Sequence, residues 1–86
     1  MQFEGAVIRE QGVTFAVVIV KDYIVHDRSQ AESAIRSFQP VFPGMPVVLM
    51  GQNSREVPTY FGRQDIAGFM ANVPLSSVPW KRYTLN

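Results

Sequence analysis

Two continuous apolar runs constrain this chain more than any other feature. The first, Val13-Thr14-Phe15-Ala16-Val17-Val18-Ile19-Val20, is interrupted only by Thr14, and the second, Val47-Val48-Leu49-Met50, is unbroken. β-branched residues dominate the first run, which favours strand over helix. A strand with one wet face alternates apolar and polar residues; here the alternation is lost, so both faces are expected to be shielded from water. Both runs therefore read as central strands.

The flanking segments complete the pattern. Residues 2–10 and 13–21 read as a hairpin turned at Glu10-Gln11-Gly12, where Gly12 supplies the positive φ of a tight turn. The first of these strands mixes Phe3, Val7 and Ile8 with Glu4, Arg9 and Glu10, as an edge strand does. After the connection Lys21–Arg28, Ser29 and Glu32 have the spacing of a capping box. Ala31, Ala34, Ile35 and Phe38 then form one helical stripe, ended by Pro40. The second run follows a stiff loop, and a strand–helix–strand crossover predicts that the two apolar strands are parallel neighbours. Residues 51–56 form a polar turn, and Val57 to Phe61 reads as a fourth strand, placed at an edge by Pro58. Arg63 to Asn72 reads as a second helix with the stripe Ile66, Phe69, Met70 and Val73. Gly68 in its middle suggests close packing there. The tail 74–86 carries Trp80 and Tyr83 and is expected to dock, with Trp80 to Leu85 as a short extra strand. The expected fold class is α+β: one domain over residues 1–86, of order β-β-α-β-β-α, with a mixed four-stranded sheet and both helices on one face.

Composition narrows the function classes. Of the 86 residues, 47% are hydrophobic and 17% charged, against roughly 25% charged in an average soluble domain. A surplus of apolar surface on a small domain favours burial against a partner, most simply a second copy. The net charge of +1 is not the footprint of a dedicated DNA binder. With no cysteine, thiolate zinc and thiol redox chemistry are excluded, and a reducing cytoplasm is the expected location. No secretory leader and no membrane-length apolar run is seen.

Catalytic motifs are lacking. His26 beside Asp27 is the sole histidine; a metal site needs further converging ligands, so a solvent-facing loop residue is the better reading. Lys21 ends a central strand and Asp22 follows it, but the acid that a two-carboxylate nuclease places two residues before its lysine is here Ile19. Ser29, Ser33, Ser37, Ser54, Ser76 and Ser77 sit in no nucleophile elbow. Residues 51–55 lack the ending of a P-loop. No metal, no cofactor and no enzymatic role is expected.

Two binding readings remain. In the first, the chain is a non-enzymatic protein-interaction domain, homodimeric through an apolar sheet face carrying Phe15, Val17 and Ile19 or their alternates one position over. In the second, it binds nucleic acid or another anion through Tyr60, Arg63, Trp80, Lys81, Arg82 and Tyr83, where aromatic and basic residues are interleaved. The second reading requires Arg63 and the tail to converge. The near-neutral charge favours the first.

Overall fold

The computed structural model describes residues 1–85. It has the α+β fold expected, with five strands in the sheet instead of four because the extra strand suggested for the tail joins it. Strands β1 (Gln2–Glu10), β2 (Val13–Ile19), β3 (Val47–Gln52), β4 (Pro58–Phe61) and β5 (Lys81–Thr84) form one five-stranded sheet of order β4-β3-β2-β1-β5. β1–β2, β3–β4 and β1–β5 are antiparallel, and the central β2–β3 pair is parallel. The β1–β2 hairpin turns on two residues with positive φ, Gln11 (50°) and Gly12 (80°); paired positive φ values match the right-handed twist of the strands.

The tail supplies the fifth strand. Phe3 faces Tyr83 and Glu4 faces Arg82 across the β1–β5 ladder. β1 is therefore not an edge, as its charges suggest, but an interior strand. The exposed edges are β4, which begins at Pro58, and β5, which begins Lys81-Arg82. Proline and cationic side chains both discourage pairing with another chain.

The helices α1 (Asp22–Val25), α2 (Arg28–Phe38) and α3 (Gln64–Met70) do not share a face. Val25, Ala31 and Phe38, from α1 and α2, pack with Phe3, Ala16, Val18, Val47 and Leu49. Ile66 and Met70 of α3 pack on the opposite face with Ala6, Phe15, Val17, Val48 and Met50. Val78 is buried in this second layer, and Val73, Leu75 and Trp80 pack against it. Apolar residues on both sides of β2 and β3 demand two covers, and the chain provides both itself. The face expected to be left for a partner is sealed by α3 and the C-terminal segment.

Local details differ from the sequence reading for identifiable reasons. Helix α2 begins at Arg28 because Asp27 caps it: Asp27 Oδ1 accepts from the Gln30 backbone N–H at 3.1 Å, and Oδ2 from the Gln30 side chain at 3.2 Å. Ser29 is inside the helix, so the Ser29–Glu32 box does not form. The connection before it holds the short α1, which can lie close to β3 only because residue 51 is glycine. A Cβ there would sit 2.9 Å from both Asp22 Cα and Val25 Cγ2. Gly68, by contrast, has open space where a Cβ would be, so close packing is not the reason for it. No described helix is long and apolar enough to cross a membrane.

Candidate functional site

The sheet order separates the residues of the expected anion site. Arg63 follows β4 at one edge, whereas Lys81 and Arg82 begin β5 at the other. The aromatic residues are divided between the two faces. Tyr83 belongs to a mesh of rings: its centroid is 5.5 Å from that of Phe3, nearly parallel, and 5.0 Å from that of Phe42, edge-on. Trp80 packs on the opposite face, its indole N–H donating to the Leu75 carbonyl at 3.1 Å. Tyr60 packs on that face too, and its buried hydroxyl finds no hydrogen-bond partner. Burial pushes the Tyr60 phenol up from its ordinary value. These rings serve the core, and the six residues form no common site.

The residues expected at an interface are also accounted for within the chain. Phe15 and Val17 are buried beneath the α3 layer. This corrects the expectation of a free face: one step along β2 exchanges the faces, but both are covered. Ile19, at the end of β2, is half-buried and packs against the same cluster.

Among catalytic candidates, His26 is exposed, and its Nε2 lies 3.3 Å from Asp22 Oδ1 across one turn. The contact is at ion-pair distance without hydrogen-bond alignment, and Asp27 is occupied with capping α2. No group of three or more His, Cys, Asp or Glu able to hold a metal ion occurs among the described residues.

Two depressions stand out instead. The first is apolar and lies where β2 ends, between α1, α2 and the β1–β5 edge. It has a volume of about 670 Å³, and its lining includes Met1, Phe3, Tyr23, Ile24, Ala34 and Phe38. Lys21 is the one charged side chain among its described lining residues. Met1 and Tyr23 are 72% and 58% exposed, the largest values among the exposed large hydrophobic residues. The second, about 600 Å³, lies between α2 and the β4 edge. Arg28, Glu32, Arg36 and Arg63 line its walls, with Ile35, Val47 and Phe61 among the apolar lining. Arg63 forms a two-pronged pair with Asp65, at 2.9 Å from Nε and 2.7 Å from Nη2. That pair holds the Asp65 carboxyl down at about 2 and raises the Arg63 guanidinium.

Sequence reasoning missed both depressions. Arg28, Glu32 and Arg36 follow at intervals of four on one helix side, the spacing of a surface ion-pair stripe. Nothing local indicates that β4 brings Arg63 beside them. No family model, curated protein or solved structure matches the chain.

Proposed function

We propose that this chain is a small non-enzymatic protein-interaction domain that works as a homodimer, with the apolar groove at the end of β2 as the contact. The observation that carries this reading is the placement of the exposed Met1 and Tyr23 on the groove they border. An isologous contact needs a patch that fits itself, and a protruding aromatic residue beside a groove is such a patch. Lys21 is the one charged side chain of the described lining, and the Met1 ammonium is occupied with the Leu85 carbonyl at 3.2 Å. The sheet edges are poor alternatives, since β4 starts at a proline and β5 with two cations. Low charge and high apolar content point the same way. The lack of cysteine fits a reducing cytoplasm as the place of action.

Sedimentation equilibrium tests the proposal. The expected result is a dimer at micromolar concentration that Ala34→Glu converts to a monomer while the far-UV circular dichroism stays unchanged. A wild-type monomer throughout the micromolar range overturns the homodimer. A dimer that survives both Ala34→Glu and Tyr23→Asp overturns the groove as its contact.

A further inference from the structure

We infer that the groove between α2 and β4 is a binding site for a phosphate monoester, independent of the proposed dimer contact. Three of the chain's eight basic residues line this one depression. They come from separate elements: Arg28 and Arg36 from α2, and Arg63 from the turn between β4 and α3. All three are exposed, and neither Arg28 nor Arg36 has a carboxylate within ion-pair distance among the described residues. Glu32 lies between them along the helix yet pairs with neither. Two unpaired guanidiniums on one wall and a third on the facing wall are suited to a group with three oxygens, because each guanidinium is a planar fork that can bind two of them.

The facing wall is held in place by close packing. A Cβ at Gly62 would lie 2.9 Å from Val48 Cγ2 and 3.1 Å from its Cα, so the turn carrying Arg63 is pressed onto β3. Arg63 itself is paired with Asp65, which an incoming anion displaces. On the other side, Gln39 donates to the carbonyls of Phe42 and Met45, at 3.0 and 2.7 Å, fixing the loop at the end of α2. The apolar lining from Ile35, Val47 and Phe61 distinguishes the site from a purely ionic patch: it offers contact to an organic body attached to the phosphate. The small net charge and the confinement of Arg28, Arg36 and Arg63 to one depression favour a compact anion over a nucleic-acid strand, which needs charge along an extended track.

The two acids give the proposal a signature that a general gain or loss of stability does not. Glu32 repels an incoming anion, and Asp65 competes for Arg63. Glu32→Gln and Asp65→Asn should therefore tighten binding, whereas Arg28→Ala and Arg36→Ala should each weaken it about tenfold, the loss of one charge-assisted hydrogen-bonded contact.

The test is a titration of the ¹⁵N-labelled full chain, followed by NMR, with inorganic phosphate, O-phosphotyrosine and AMP. Saturable shifts at Ile35, Val47, Phe61 and Gly62, stronger for an ester than for inorganic phosphate, are expected. The preferred ester distinguishes a phosphopeptide source from a nucleotide source. The site is refuted by shifts that do not saturate, by shifts outside the groove, or by Arg28→Ala and Arg36→Ala binding as the wild type does. Weaker binding by Glu32→Gln refutes it as well. Preference for inorganic phosphate removes the role given to the apolar lining, and tighter, steeply salt-dependent binding of a single-stranded oligonucleotide replaces the monoester by nucleic acid.

Discussion

The two faces of the sheet bury the same two central strands by different means. On the α2 face, an eleven-residue helix with a side-chain cap sits over a mesh of rings, with Phe3 4.7 Å from Phe38 and stacked on Tyr83. On the α3 face, the cover is a seven-residue helix without a side-chain cap, followed by a segment with a single 3-10 turn, Leu75–Ser77, that Trp80 ties down through the Leu75 carbonyl. The strand residues are equally buried on both sides, yet one cover is regular and ring-locked while the other is short and places Met70 in the same cluster as Met50 of β3. Burial of a strand therefore says little about how firmly its cover is held. Short helices depend on tertiary packing, and flexible methionine packs adaptably. The α3 layer is accordingly the one expected to open first, before global unfolding.

The largest expected effect tests whether this weaker cover is nonetheless essential. Phe15→Ala, at the centre of the α3 face, should destabilise the protein by about 3–5 kcal/mol in urea denaturation, the usual cost of emptying a phenylalanine site in a core. A loss below about 1 kcal/mol would show that the α3 layer collapses readily into the space and contributes little. A pair of glycine variants then sets one face against the other. On the α2 face, Gly51→Ala drives a Cβ into the backbone of α1 and should cost about 1–3 kcal/mol. On the α3 face, Gly68→Ala meets open space and should stabilise by about 0.5–1 kcal/mol through helix propensity. Thermal melts of the two variants moving in the same direction would contradict the packing described for α1 and α3.

The smallest effect concerns Tyr60, beneath the α3 layer. Its phenol is raised by burial, so the folded state keeps the proton longer than the unfolded chain does. The associated stability is present below the phenol's unperturbed value of roughly 10 and is lost as the pH rises beyond it. Tyr60→Phe should remove that part of the alkaline slope and leave stability near neutrality unchanged or improved, since the hydroxyl is buried without a partner. Parallel urea denaturation of wild type and variant between about pH 8 and 11 checks this; identical slopes would place the hydroxyl in water.

Much of this architecture is legible in the residues. The apolar runs identify the two central strands and their two shielded faces, Gly12 marks the hairpin, and the stripe Ala31-Ala34-Ile35-Phe38 marks α2. The placement of α3 is not legible, because its stripe states only that it covers some face. Strand order decides which face that is, and order depends on pairings between residues far apart in sequence. The same limit hides the sites. Charges on β1 imitate an edge because Glu4 lies on the exposed side of the strand, although its backbone is paired opposite Arg82 of β5. Trp80-Lys81-Arg82-Tyr83 reads as one cluster, but alternate residues of a strand point to opposite sides, and so the segment is divided between two layers. The arginine groove joins residues 28, 36 and 63, and no local pattern encodes that meeting.

The pairing of β1 with β5 also bears on how the protein is made. β1 leaves the ribosome well before β5 and hydrogen-bonds to it along one side, so the ladder between them closes a long loop and is among the costliest to form. Until Lys81–Thr84 has been synthesised, that side of β1 is an unpaired edge bearing Phe3, whose ring has no Tyr83 to stack on. Nascent chains held at this stage have an opportunity to aggregate that the finished protein lacks. The cations of β5 thus have two uses: once in place they guard the new outer edge, and by arriving they close the old one.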